Sequence, residues 1–389
     1  LKILPPTNYK LPLKIGIVCY PSVGGSGIVA TNLGIELAKL GHQVHFISYD
    51  PPFRLDKEHP NIFFHKVNIN QYPLFKYPDY TLPLTVTMGA VHEEFLLDVF
   101  HVHYAVPHAT AALLAYNMLA QCSSCKPPKV ITTLHGTDIT LLARDKNLFE
   151  IIKYSIEQSH GVTAVSKSLR KETLQVLSTK KDIEVIYNFY TPPAPRFSRD
   201  EIRKKLGITP ETFLAIHLSN LRPVKRIPDL LKVVSLIKTK KPFKLLILAG
   251  GKFDEYNKLV HNLKIGNSIL VKKNVKAIED CVPAADVGLY TSENESFGMG
   301  ILETMSYGIP IISTSAGGIP EVVKNDITGF LTKVGDVKAL AGKLTTLIKN
   351  PTLQQQMGKA AAEQAQKHFS AGIIVQKYLD YYGKIIRLK

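Results

Sequence analysis

Apolar residues in this chain gather in short unbroken runs, set off by glycine-rich or polar turns and by stretches with helical spacing. The first run is Lys14-Ile15-Gly16-Ile17-Val18-Cys19, the pattern of a strand buried on both faces. A glycine-rich turn follows, then Leu33, Leu37 and Leu40 at the spacing of one helix face. Gly41 closes that helix, and residues 44–47 form the next strand. Further strands are predicted at 99–102, 130–134 and 162–165. The same grammar starts again at 213–218, with a helix at 228–237 and strands at 244–248, 268–271, 287–290 and 310–313. Helices are predicted at 277–284 and 300–307. Repeated strand–helix alternation with apolar strands predicts parallel sheets covered on both faces. Two such sets predict an α/β protein of two Rossmann-like, doubly wound domains.

A stretch with three prolines, Tyr190-Thr191-Pro192-Pro193-Ala194-Pro195, cannot continue a helix or a central strand. It places the expected domains at 1–191 and 192–369. The tail, 370–389, is read as an amphipathic helix with Tyr378, Tyr381 and Tyr382, expected to pack back onto the first domain. The chain has 389 residues, 45% hydrophobic and 21% charged, enough for two real cores. No apolar run reaches the ~20 residues a membrane span needs. Residues 1–13 lack the pattern of a signal peptide. Four cysteines are too few for a disulfide framework: Cys19 and Cys281 read as core residues. Cys122 and Cys125 form a C-x-x-C with no further ligands for zinc. A reducing cytoplasm is the expected location.

Charge is uneven. Residues 1–190 hold 18 Lys+Arg against 15 Asp+Glu, whereas 191–389 hold 30 against 17, giving +16 overall. A basic second half points to an anionic partner. No helix-turn-helix or aromatic–basic interleaving argues for nucleic acid, and a phosphorylated small molecule fits. Candidate chemistry falls at the ends of the predicted strands, where parallel α/β sheets bind ligands. Ser22-Val23-Gly24-Gly25-Ser26-Gly27 opens a helix, and its glycines let backbone N–H groups approach an anion. His101-Val102-His103-Tyr104 puts two histidines on one strand face, read as structural or substrate-lining, with Tyr104 the better ligand. Thr132-Thr133-Leu134-His135-Gly136-Thr137-Asp138 sets polar groups at a strand end; His135 can bond a sugar hydroxyl or share a proton with Asp138.

In the second half, Ser219-Asn220-Leu221-Arg222-Pro223-Val224-Lys225-Arg226 concentrates cations that suit a diphosphate. Glu293-Asn294-Glu295-Ser296-Phe297-Gly298-Met299-Gly300 leads into a helix bearing Glu303. Its opening N–H groups can face phosphates, although Glu295 could also be only a cap. No Asp-x-Asp is present to hold a metal against a diphosphate. Lys225, arginine and helix dipoles would then carry that charge.

With Glu295 and Glu303 eight apart, behind the basic turn and the glycine turn in that order, the chain resembles family 4 of the retaining glycosyltransferases, with a GT-B fold. Cys19 to Gly27, His101 to His108, Thr132 to Thr140 and Ala316-Gly317-Gly318-Ile319-Pro320-Glu321-Val322 are similar to the branch that opens bacillithiol biosynthesis. Asn70-Gln71-Tyr72 and Pro52-Phe53-Arg54 agree with it. The resemblance implies two domains facing across a cleft, and transfer of GlcNAc from UDP-GlcNAc to the hydroxyl of L-malate with retention. It also implies that neither metal nor cofactor takes part. Family members that glycosylate a lipid or another small hydroxylated acceptor are the alternative, and a homo-oligomer is left open.

The resemblance assigns Glu303 to the donor ribose and Glu295 to the sugar hydroxyls. Asn220, Lys225, Gly24 and Gly25 go to the diphosphate, and His135 to the region of the sugar's C6 hydroxyl. Arg222, Ser296, Phe297, Gly298 and Met299 complete the donor side, with His135, Glu295 and Lys225 taken as the catalytic group. Ser22, Tyr104, Thr133 and Lys153 fall on the acceptor side. Asn220 stands where most of the family has Arg, so Arg222 or Arg226 is expected to supply the second charge. Lys153 also replaces an Arg. Residues 81–95 match poorly and receive no account.

Overall fold

The computed structural model describes residues 12–22, 25–53, 55, 58–69, 79–122 and 126–388. Gly24, Arg54, the Asn70-Gln71-Tyr72 motif and Cys125 lie outside them. The chain divides into two units, Leu1–Asn188 with Ala371–Lys389, and Phe189–Ser370. Among the described residues, no helix is long and apolar enough to cross a membrane.

The first unit holds β1 (Lys14–Val18), β2 (Gln43–Ser48), β3 (Ile62–Lys66), β4 (Val99–His103), β5 (Lys129–Leu134), β6 (Gly161–Ala164) and β7 (Glu184–Val185), in the order β3-β2-β1-β4-β5-β6-β7. The second holds β8 (Phe213–Ser219), β9 (Phe243–Ala249), β10 (Ile269–Lys273), β11 (Val287–Tyr290), β12 (Ile311–Thr314) and β13 (Gly329–Thr332), in the order β10-β9-β8-β11-β12-β13. All pairings between these strands are parallel. Strand order reverses direction beside β1 in one sheet and beside β8 in the other, the switch points at which such sheets open a crevice.

Burial explains the unbroken apolar runs. In β8, Phe213 and Ala215 join one buried cluster with Leu230 and Leu344, while Leu214, Ile216 and Leu218 join another with Ile202 and Ile309. Both faces are thus covered, and neither can carry polar alternation.

The tail forms Pro351–Phe369 and, after a break at Ser370, Ala371–Ile386. The latter packs against the first unit. β7 has only two residues, paired with Thr163 and Ala164, so it does not reach the backbone of Val162. The Tyr381 phenol takes that place, accepting from Val162 N–H at 2.9 Å and donating to Val162 O at 3.1 Å. Gly161 makes this approach possible, because a Cβ there would sit 2.9 Å from both Ile385 Cγ1 and the Tyr381 oxygen.

Two expectations change. The helix expected at 277–284 is instead two short 3-10 turns, Ile278–Asp280 and Val282–Ala284. Pro283 has no N–H and disfavours helical geometry in the residue before it. Residues 81–95, left without an account, form the helix Thr81–Phe95. Asp79 caps it, accepting from the N–H groups of Thr81 at 3.1 Å and Leu82 at 2.9 Å.

Gly161→Ala is expected to push the Ala371–Ile386 helix off β6 and to cost about 1–3 kcal/mol. Urea unfolding tests this, and a midpoint equal to that of the parent would show that the contact is slack.

Candidate active site

In the first unit the loops that follow β1, β4 and β5 meet beside the switch point. Gly25 opens the helix Gly25–Lys39; it is exposed, and a Cβ there would meet nothing within 4 Å. Gly27 is a packing glycine, since a Cβ there would lie 2.6 Å from Ser22 O and 2.7 Å from Tyr20 O. Ser22 is exposed at the lip of this turn. Ser26 Oγ donates to the Tyr104 hydroxyl at 3.2 Å, tying the β1 loop to the end of β4. Tyr104 itself has φ +92°, a costly backbone region for a residue with a Cβ and one that clusters at functional sites. Its N–H is held by Thr133 O at 3.1 Å.

Thr133 does not point at a ligand. It is fully buried, and its hydroxyl meets His101 Nε2 at 2.7 Å and Thr163 Oγ1 at 2.6 Å. The expectation that it lines the acceptor side is corrected: it holds Tyr104 from behind. His101 Nδ1 meets the Tyr382 hydroxyl at 2.7 Å, so the tail helix reaches the layer beneath the site.

His135 is half-buried, and its Nε2 lies 2.7 Å from His103 Nδ1. Asp138 is fully buried and accepts instead from the N–H of Gly136 at 2.9 Å. The second oxygen, Asp138 Oδ2, has no hydrogen-bond partner among the described residues, so His135 bonds His103 rather than sharing a proton with Asp138. Strand register explains the contact: His103 pairs with Thr133 between β4 and β5 and so ends near His135, a neighbourhood the sequence alone did not signal. Lys153 sits half-buried on the helix Phe149–Gln158, with no carboxylate partner among the described residues.

In the second unit, the loops after β8, β11 and β12 converge. Lys225 Nζ donates to Glu295 Oε1, with the two side chains only 19% and 14% exposed. Ser292 Oγ donates to the same oxygen at 2.8 Å. Glu295 is thus no helix cap. Its backbone carbonyl accepts from Gly318 N–H at 2.7 Å, and a Cβ on Gly317 (φ +53°) would fall 2.1 Å from that carbonyl oxygen. The Ala316-Gly317-Gly318 turn therefore fixes Glu295 by an approach only glycine permits.

The helix Met299–Met305 starts from Gly298 at φ +96°. Phe297 is buried, its ring edge-on to Phe369 at 5.6 Å. Ser296, Met299 and Glu303 are half-buried beside it. The two arginines of the basic turn separate. Arg226 is committed to Asp229 at 2.6 Å and Glu293 at 3.1 Å. Arg222 is exposed, with no carboxylate partner among the described residues. Asn220 is exposed next to it, its Cα lying 3.3 Å from where a Cβ on Gly250 would be.

Residues 23–192 match the Glycosyltransferase Family 4 domain, and residues 198–364 the Glycosyl transferases group 1 domain. The chain is 43% identical over 380 residues to the N-acetyl-alpha-D-glucosaminyl L-malate synthase of Bacillus anthracis, covering 97% of this chain and 98% of that one. It belongs to glycosyltransferase family 4. Among solved structures, this family 4 chain resembles the sucrose-phosphate synthase of Thermosynechococcus elongatus (TM-score 0.78, 20% identity, covering 96% of this chain and 99% of that one). It also resembles HepE of Anabaena in complex with UDP (TM-score 0.77, 18% identity, covering 96% and 100%). These share the two-domain GT-B fold.

Burial pushes His101 down to about 3, His108 to about 4 and His103 well below its usual value. Each folded-state value lies below the unfolded 6.5, so the associated stability is complete above pH 6.5 and is lost as pH falls below it. The loss is about 1.4 kcal/mol per pH unit and histidine. Asp138 works in the opposite sense: burial, opposed by backbone N–H groups, raises it from 3.8 to about 6, so it gains stability as pH falls through that window. Three rings outweigh one carboxyl. The urea midpoint is expected to drop between pH 7.5 and 5.0, and an equal or higher midpoint at 5.0 would contradict the buried-neutral assignment.

Proposed function

We propose that this enzyme transfers GlcNAc from UDP-GlcNAc to the hydroxyl of L-malate in the cytoplasm, with retention and without metal, as the first step of bacillithiol biosynthesis. The carrying observation is the 43% identity over 97% of the chain to a synthase of that name. The Lys225–Glu295 pair between the loops after β8 and β11 supports it.

In this reading the second unit binds the donor. Glu303 bonds the ribose, Glu295 the sugar hydroxyls, and Lys225, Arg222 and Asn220 the diphosphate, together with the backbone N–H groups of Gly298 and Met299. Arg222 supplies the second positive charge, since Arg226 is already paired. Ser296 and Phe297 shape the turn that carries these groups.

The first unit binds malate. Ser22, Tyr104 and Lys153, which has no carboxylate partner among the described residues, are its contacts, with Gly24 and Gly25 assigned to the phosphates and His135 to the sugar's C6 hydroxyl. Lys153 meets a malate carboxylate as a point charge, without the fork an arginine would offer. The bond from the anomeric carbon to the phosphate oxygen breaks, and its electron pair leaves with UDP. The malate hydroxyl oxygen forms the new bond on the same face, and its proton passes to the departing phosphate. No side-chain base is needed. The leaving charge is met by fixed cations and amides, the kind of stabilisation that contributes most where water is excluded.

UDP release from UDP-GlcNAc is expected to require L-malate and to persist in excess EDTA. Turnover with a lipid extract but not with malate would sink the acceptor assignment. Loss in EDTA that magnesium restores would overturn the metal-free mechanism.

Lys153→Ala is expected to raise KM for malate about tenfold or more while leaving KM for the donor nearly unchanged. Glu303→Ala is expected to weaken UDP binding by about tenfold or more, measured by calorimetry. The opposite pattern in either variant removes that residue from its site.

A further inference from the structure

Three histidines at the ends of β4 and β5 are linked in a way that fixes where their protons sit. His108 Nδ1 lies 2.5 Å from the backbone carbonyl of His103. A carbonyl only accepts, so the His108 hydrogen is on Nδ1. The next contact, His103 Nδ1 to His135 Nε2 at 2.7 Å, joins two ring nitrogens, of which one donates and the other accepts. Desolvation and the neighbouring histidines hold both rings neutral, which leaves two arrangements.

In the first, His103 donates from Nδ1 and keeps a bare Nε2. In the second, His103 accepts at Nδ1 and carries its hydrogen on Nε2. His103 Nε2 is buried and has no hydrogen-bond partner among the described residues. The neighbouring His101 cannot serve it, because both its nitrogens are taken by Tyr382 and Thr133. An orphaned buried N–H is the rarer defect, which favours the first arrangement. His135 then accepts at Nε2 and must carry its own hydrogen on Nδ1.

We propose that His103 is a positioning residue that sets the tautomer of His135, so that His135 offers an Nδ1–H donor, and no basic nitrogen, to a ligand hydroxyl. That the ligand is the donor sugar rests on the function proposed above. The tautomer stands on the hydrogen bonding alone. The consequence is chemical: His135 orients a hydroxyl oxygen by donating to it and does not abstract a proton in the transfer.

The test is a two-bond 1H–15N correlation spectrum of the full-length protein labelled on histidine, at pH 7.5, with His135 assigned by the signals lost in His135→Ala. A protonated Nδ1 and a bare Nε2 are expected, and a hydrogen on Nε2 overturns the proposal. His103→Asn and His103→Phe complete it. The asparagine amide takes the place of Nδ1 and donates, whereas phenylalanine fills the space without a donor. The Phe variant is expected to lose the single tautomer and about tenfold in kcat/KM for UDP-GlcNAc, while the Asn variant keeps the Nδ1–H form and most of the activity. Equal losses in both variants, with the tautomer unchanged, would reduce His103 to packing and overturn its role. A parent enzyme inactive on UDP-GlcNAc would sink the donor assignment, yet the spectrum would still decide the tautomer.

Discussion

A parallel sheet covered on both faces has no room for chemistry except at the ends of its strands. That constraint organises both halves of this enzyme. Each strand of β1, β4, β5, β8, β11 and β12 runs through apolar packing and then releases into a polar loop at its carboxyl end. The candidate residues Ser22, Tyr104, His135, Lys225 and Glu295 sit in those loops or at their edges. The backbone there is held by unusual means. Tyr104 takes a left-handed φ, Gly298 starts a helix from one, and Gly317 admits a carbonyl where any Cβ would collide.

The Lys225–Glu295 pair is the most demanding feature of the second unit. Both charges are largely withdrawn from water, so each depends on the other. Removing one leaves the survivor uncompensated at a cost larger than the pair contributes as a whole. Ser292 and the 316–318 turn restrict Glu295 further. The pair therefore serves geometry more than stability: it keeps a cation and an anion side by side at a strand end.

Much of this was legible in the residues. Buried strands declare themselves by unbroken apolar runs, so β1, β4, β5, β8 and β11 were found to within a residue or two. The helix Thr81–Phe95 was not, because its apolar residues go all round it: Leu84, Met88 and Val91 are buried while Leu82 and Val86 are exposed, leaving no stripe to detect. Pro283 was passed over in a pattern that otherwise looked helical. At the site, residue types were readable but directions were not. Thr133 looked like a ligand contact because it ends a strand, yet its hydroxyl faces inward. His135 stood near Asp138 in sequence but found its partner across the sheet, a choice made by strand register that no local pattern encodes.

The tail helix belongs to the first unit, although the whole of the second unit lies between it and the rest of that unit in the chain. On the ribosome, residues 12–188 therefore emerge long before Tyr381 and Tyr382 exist. Until then the Val162 backbone lacks its phenol and the buried His101 lacks one of its two partners. The first unit must wait for the second to be made before its own interior can close.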